Sequence, residues 1–385
     1  MYSRNKESIE LLLHSTRTFV DNKISPKAYK WEKDETGVPS DILDELGHLG
    51  LFGLLIGSEF GGSNLEISSY ARVTEVLASG DCGITNLINV SNSPVAVSIE
   101  TYGSDKQKRE YLSDLANGRL RGCFMLSEPN SGSDAASIET TAKKVSGGYI
   151  LAGNKKFVTG GDSAGLGLVA AKTEKLLGKK GITLFLVPRE CYKVTRLEDK
   201  MGHRNVDTAD VLFKDSFVPG DAILGELGEG YQICLKLLAT GRIAVAAQGV
   251  GVAIAAFKKA QAHSLKRKTF GKPIVKHQSV SFRLADMAIK ISSARQLTLF
   301  AASLVDQGKS AIAESSMAKI YATEVAEQVT SDALQIFGGD GYLKETGIEK
   351  LFRDARVLSI YEGTNDIQKI IISKEIQQGW SPVGC

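Results

Sequence analysis

The sequence predicts an α+β fold in three parts: an N-terminal α-helical domain over residues 1–122, a middle antiparallel β-barrel-like domain over 123–228, and a C-terminal four-helix bundle over 229–385. Two observations predict it. Apolar residues recur with a helical period of about 3.6 at both ends of the chain and follow short strand-like runs between them. The texture changes first near Cys123 and again at the turn-forming run Gly228-Glu229-Gly230.

In the first part, Leu11, Leu12, Leu13, Phe19 and Val20 fall in one periodic segment, and Ile42, Leu43, Leu46, Leu49 and Leu51 in the next. Ser104-Asp105-Lys106-Gln107 has capping-box spacing, so Ser104 and Gln107 can each satisfy an amide at a helix start. In the middle part, residues 147–159 read as a hairpin about a Gly153-Asn154 turn. Residues 166–171, 182–188 and 209–213 read as further strands. In the last part, helical patterns run over 231–265, 276–307, 310–336 and 348–356, with a final one from 365. Their short connections imply antiparallel packing.

Composition narrows the function classes. The chain has 385 residues, 43% hydrophobic and 24% charged, which is the range of globular proteins. Its net charge of +3 is spread among interleaved acids and bases, so no nucleic-acid face is expected. The start, Met1-Tyr2-Ser3-Arg4-Asn5-Lys6, has no apolar run behind its charges, so no secretory leader is expected. The longest apolar stretch, Ile243–Phe257, is interrupted by Gln248 and is shorter than a bilayer span. Five cysteines and five histidines are scattered singly, which favours neither disulfides nor a metal site and suggests a reducing cytoplasm.

Four segments carry chemistry. Phe124-Met-Leu-Ser-Glu-Pro-Asn-Ser-Gly-Ser-Asp134 leads an apolar triplet into a loop of small residues. Such a loop can offer backbone amides and the hydroxyls of Ser127, Ser131 and Ser133 to a flat heterocycle or a phosphate, or form an ordinary serine turn. Arg267-Lys-Thr-Phe-Gly271 joins a cation, a hydroxyl and an aromatic ring, which suits a pyrophosphate and adenine as well as a solvated helix end. Gln335-Ile-Phe-Gly-Gly-Asp-Gly-Tyr342 ends a helix with more glycine than a plain cap needs. Tyr361-Glu362-Gly363-Thr364 places a carboxylate between an aromatic and a glycine ahead of a helix start. Read alone, Glu362 fits a helix-dipole partner or a general base whose pKa burial raises. Gly165-Leu-Gly167-Leu-Val-Ala170 matches a dinucleotide fingerprint, but it lies in strand-like residues rather than between a strand and a helix. Gly249-Val-Gly251 lies in a helical pattern, where small residues allow close packing.

These four segments, in this order and spacing, resemble the acyl-CoA dehydrogenase flavoprotein family from about residue 5 to 378. The resemblance implies FAD as cofactor. It implies that Phe124, Leu126, Ser127, Gly132 and Ser133 hold the flavin ring and pyrophosphate, with Phe157 and Thr159 on a second strand. It implies that Arg267, Thr269, Phe270 and Gln278 reach the FAD of a neighbouring subunit. Gln335, Gly338 and Gly339 match the adenosine site, and Thr364 and Asp366 match further FAD contacts. Glu362 matches the base that removes the α-proton of an acyl thioester, giving a trans-2-enoyl product. Ser133, Arg242 and Gly363 match substrate contacts. The implied partners are an acyl-CoA and an electron-transferring flavoprotein, in a homotetramer.

Two positions depart from common family patterns. Some members place the base one residue before an arginine on another helix; here Gly241 precedes Arg242, which strengthens Glu362 and suggests a short to medium acyl chain. Many members carry an acid three residues before that arginine to contact CoA; here it is Ala239, which leaves an acyl-carrier-protein thioester as an alternative. An acyl-CoA oxidase or flavin monooxygenase is the other alternative on the same fold.

Overall fold

The computed structural model describes residues 2–382. Seven helices come first: α1 (Tyr2–Phe19), α2 (Ala28–Lys33), α3 (Ser40–His48), α4 (Ile67–Gly80), α5 (Cys82–Val90), α6 (Val97–Tyr102) and α7 (Asp105–Ala116). The Ser104 capping box forms at the start of α7, with both hydrogen bonds in place. Asp81 caps α5 by accepting the Ile84 amide at 2.8 Å. The apolar stripes of α1, α3 and α4 close one core around Leu46, Phe52 and Tyr70.

Eight strands follow: β1 (Gly122–Met125), β2 (Thr141–Val145), β3 (Gly148–Thr159), β4 (Leu166–Lys172), β5 (Ile182–Pro188), β6 (Lys193–Leu197), β7 (Thr208–Pro219) and β8 (Ile223–Leu224). They join in one sheet of order β6-β7-β3-β2-β4-β5-β8, with β1 beside β4. Most pairings are antiparallel, but β1 runs parallel to β4, and β2 meets β4 in parallel at Thr141 and Lys172. Both faces of β4 and β5 are covered, which explains their unbroken apolar runs. Leu168 and Leu184 face the N-terminal helices, while Val169 and Phe185 face the inner surface of β3 and β7. The sheet therefore curls around its own core in a barrel-like layer.

The hairpin expected about Gly153-Asn154 is placed differently. Its turn is Ser146-Gly147, between β2 and β3, and Gly153-Asn154 lies inside β3 at a register irregularity. Gly153 has φ 150°, and a Cβ there would stand 2.5 Å from Thr140 Oγ1, so the glycine serves a bulge rather than a turn.

The bundle comprises α8 (Gly230–Lys266), α9 (Gln278–Asp306), α10 (Ile312–Phe337), α11 (Ile348–Arg356) and α12 (Asn365–Gln377). A small hairpin, β9 (Lys268–Thr269) with β10 (Lys272–Pro273), separates α8 from α9. Helix α8 is long and apolar enough to cross a membrane by length and composition, but 72% of its apolar window is buried within the protein. It is the central packing element. A Cβ on Gly249 would lie 2.8 Å from Ala322 O of α10, and one on Gly251 would lie 2.3 Å from Glu75 O of α4. The small residues let three backbones meet, as the helical reading of Gly249-Val-Gly251 expects.

A buried charge cluster joins the parts. Lys350 of α11 donates to Asp81 at 2.8 Å and Asp354 at 2.5 Å, and Glu32 lies 3.9 Å away. Asp354 also accepts the His203 amide from the β6–β7 loop at 2.7 Å. Burial opposes the charge on Asp354, but Lys350 and His203 hold its carboxyl below the usual range. Removing one member strands the others without a partner. Lys350→Met should destabilise the fold by about 3–5 kcal/mol, read as a lower midpoint in urea unfolding. An unchanged midpoint would show that the cluster is not structurally important.

Candidate active site

Glu362 lies on the turn between α11 and α12. Its φ is 54° and that of Gly363 is 83°, so two successive residues are left-handed. A side chain in that region costs roughly 1 kcal/mol or more, and neighbours must hold it. They do so through the turn's carbonyls. Gln368 Nε2 donates to the oxygens of both Glu362 and Gly363 at 3.0 Å. Lys319 Nζ of α10 donates to Gly363 O at 3.0 Å and to Asn365 Oδ1 at 2.9 Å. Among the described residues, the amides of Glu362 and Gly363 have no hydrogen-bond acceptor.

The carboxylate faces a small pocket that it shares with Ser93, Pro94, Phe124, Cys234, Leu237, Leu238 and Gly241. Gly241 makes room for it: a Cβ there would stand 2.8 Å from Glu362 Oε2. Burial pushes the Glu362 carboxyl above its ordinary value, and the cations of Arg242 and Lys319 pull it back. Arg242 is 5% exposed, and its Nε has no partner among the described residues. Tyr361, next to the carboxylate, donates its hydroxyl to Gln248 Oε1 at 2.7 Å and packs edge-on against the His203 ring.

The first set of expected cofactor contacts comes together beside this pocket. Phe124 is on β1, and Leu126 and Ser127 follow it. Lys156 N donates to Ser127 O at 2.8 Å, which ties the loop to β3. Beneath it, the buried Lys155 ammonium donates to Leu126 O at 3.1 Å and to Glu128 Oε1 at 2.7 Å. The Glu128 carboxylate also accepts the amides of Glu139 and Thr140. A second irregularity in β3, between Lys155 and Val158, turns Phe157 outward with φ 59° and leaves the residue 62% exposed. Thr159 is nearby and accepts from Asn86 Nδ2 at 3.3 Å. Gly132 and Ser133 are exposed. The loop hydroxyls were open to a ligand or to an ordinary serine turn, and that of Ser131 takes the turn: it is buried and donates to Asp134 O at 2.6 Å.

The second set lies elsewhere in the chain. Thr269 and Phe270 lie in the β9–β10 hairpin, with Arg267 capping the end of α8 just before it and Gln278 at the start of α9. Phe270 is 94% exposed. Gln335, Gly338 and Gly339 end α10, and a Cβ on either glycine would meet nothing within 4 Å. Stacking of His263 on Phe337 at 4.2 Å holds these two ends together. The hairpin is 25 residues along α8 from Gly241, about 38 Å at 1.5 Å per residue, so one protomer does not unite the two sets. Thr364 caps α12 by accepting the Ile367 amide at 3.3 Å, and Asp366 is exposed behind it. The Gly165–Ala170 match runs into β4, which is followed by a short 3-10 turn and β5 rather than by an α-helix. The exposed Phe157 ring and the open Gly132-Ser133 loop fit a flat aromatic group with a phosphate tail, while the bare Gly338-Gly339 turn leaves room at the second set for a group held mainly by another copy.

Sequence reasoning missed Lys319, Gln368, Lys155 and Gln248. The available signal was position. Each is a polar residue on a periodic face that otherwise buries small or apolar groups, as Lys319 does beside Ser315, Ser316 and Ala322.

Comparison with known proteins agrees with this geometry. Family models match along the chain for the acyl-CoA dehydrogenase N-terminal domain (6–119), middle domain (123–216) and C-terminal domain (228–377). The human mitochondrial short-chain specific acyl-CoA dehydrogenase is 37% identical over 97% of this chain and 91% of its own length. Butyryl-CoA dehydrogenase from Megasphaera elsdenii superimposes with a TM-score of 0.93 at 36% identity, covering 96% of this chain and 98% of that one. A chain in a structure described as the electron transferring flavoprotein of Acidaminococcus fermentans gives the same score, identity and coverage. The protein belongs to the acyl-CoA dehydrogenase family of FAD-dependent oxidoreductases.

Proposed function

We propose that this protein dehydrogenates a short-chain acyl-CoA thioester between its α and β carbons, with Glu362 as the base. The observation that carries the reading is the Glu362 carboxylate, held on a left-handed turn over a small, largely apolar pocket. Burial raises its pKa and so its basicity, while Arg242 and Lys319 keep it ionised enough to accept a proton. A thioester α-proton is only weakly acidic, so the developing enolate oxygen needs a donor. The unengaged Glu362 amide supplies one, and such a donor in a dry site contributes about 3 kcal/mol. When bound, FAD supplies the hydride acceptor. Phe124, Leu126, Ser127, Gly132, Ser133, Phe157, Thr159, Thr364 and Asp366 hold it from this protomer. Arg267, Thr269, Phe270, Gln278, Gln335, Gly338 and Gly339 serve the site of a neighbour, which requires a homo-oligomer, proposed here as a tetramer.

Short chain length is favoured by the narrow pocket closed by Pro94, Cys234, Leu237 and Leu238, and by likeness to the human short-chain enzyme. Arg242 and Gly363 contact the thioester end. An electron-transferring flavoprotein receives the electrons, and a cytoplasmic location belongs to the same proposal. Ala239 favours a second reading in which the acyl group rides on a carrier protein, and parallel assays with both carriers separate the two.

Two variants test the base. Glu362→Gln should stay yellow with FAD and lose anaerobic flavin bleaching by butyryl-CoA by at least about 10²-fold. Bleaching at wild-type rate would remove Glu362 as the base. Gly241→Ala should fold, because the atom its methyl meets is the end of a flexible side chain. It should displace the carboxylate and slow reduction about 10- to 100-fold at unchanged FAD content. Rapid peroxide formation with substrate in air would favour an oxidase instead.

A further inference from the structure

Among the described residues three lysines are buried: Lys155, Lys319 and Lys350. Two of them answer carboxylates, Lys155 with Glu128 and Lys350 with Asp81 and Asp354. Lys319 is fully buried yet forms no such ion pair. Both acceptors of its ammonium are neutral oxygens, Gly363 O and Asn365 Oδ1, and both belong to the segment that carries Glu362. Desolvating an ammonium for two neutral acceptors is a poor route to stability, because the cost of burial is offset only by ordinary hydrogen bonds. The arrangement makes sense if the charge acts on something else nearby.

We propose that Lys319 is a positioning residue for the reaction: it clamps the Glu362-Gly363 turn from below, so that the Glu362 amide stays free for the thioester oxygen and the carboxylate faces the pocket. This rests on the proposed role of Glu362 as base. The clamp has two jaws. Gln368 takes both carbonyls of the turn from α12, and Lys319 takes the second carbonyl from α10. With its carbonyls pinned inward, the turn has its amides directed away from the protein's own acceptors. Asn365, the other Lys319 acceptor, is also bridged to Thr323 of α10 at 3.2 Å, so the start of α12 is fixed to the same helix.

The charge has a second effect. The titratable groups facing Glu362 are Arg242 and Cys234 from α8, Tyr70 from α4, Lys319 from α10 and Tyr361 beside it. Burial keeps the thiol and both phenols protonated, so only Arg242 and Lys319 answer the carboxylate's charge. Lys319 in turn is faced by Arg242, Glu327 and Glu362, and burial draws its own pKa down to about 8. Removing the Lys319 cation leaves Glu362 with one counter-charge. Its pKa then rises, and the acid limb of the rate profile, where the base must lose its proton, moves to higher pH.

The test is anaerobic flavin reduction by butyryl-CoA, followed across pH in FAD-loaded protein. Lys319→Met should retain FAD, reduce about 100-fold more slowly at saturating substrate, and show its acid limb moved up by roughly one unit. Lys319→Gln keeps a donor for Gly363 O without the charge, so it should recover much of the rate while keeping the shifted limb. A merely structural lysine would lower the melting temperature and move neither the limb nor the rate per FAD. The proposal is overturned if both variants reduce at wild-type rate with an unmoved limb while Glu362→Gln is inactive. It is also overturned if Lys319→Met does not fold and Lys319→Gln shows an unmoved limb. A Glu362→Gln variant that still reduces its flavin would sink the base assignment itself, a separate failure.

Discussion

The architecture depends on one buried ammonium, that of Lys350. It lies where the N-terminal helices, the β6–β7 loop and the bundle meet, and it answers Asp81 and Asp354 at hydrogen-bond distance. Asp81 simultaneously caps α5, and Asp354 holds the His203 amide. Arg353, one residue from Asp354, pairs with Glu32 at 2.6 Å and donates to Met201 O at 2.8 Å, which repeats the link. Such a cluster contributes modest net stability but strong geometric selectivity, since any displacement strands a charge in a dry interior. Its reach extends to the site: His203 packs against Tyr361, and Tyr361 adjoins Glu362.

The site shows a balance of opposed forces. A carboxylate placed among Phe124, Leu237 and Leu238 becomes more basic because its charge is poorly solvated. Without compensation it would simply remain protonated. Arg242 and Lys319 supply that compensation from two different helices, and both are themselves desolvated. The left-handed turn is a comparable case in the backbone: its strain is offset by donors that occupy its carbonyls and leave its amides unengaged.

Much of the layout was legible in the sequence. The change from helical to strand-like texture near Cys123, and back after Gly230, follows from which faces are buried, and the long helices lie close to their expected spans. The Gly153-Asn154 pair was misplaced because a glycine-asparagine turn and a bulge have the same local signature; only the pairing of β3 with β7 distinguishes them. Whether the Ser131 hydroxyl served a ligand or a serine turn stayed open in the sequence, since its choice of Asp134 O depends on how the loop folds back. Lys319 passed unnoticed because a lysine in a helix is usually solvated, and its burial arises from contacts more than forty residues away in the chain.

By itself, then, the sequence determined the element order, because periodicity is a property of the chain alone, and its resemblance to the acyl-CoA dehydrogenase family pointed to the class of chemistry and to Glu362 as the residue to examine. The tertiary structure decided how that carboxylate is set: left-handed, faced by two cations, with room made by Gly241 and its turn gripped by Lys319 and Gln368. It also separated the two sets of expected cofactor contacts by the length of α8. These are facts of distance between residues remote in sequence, and burial and electrostatics depend on distance in space.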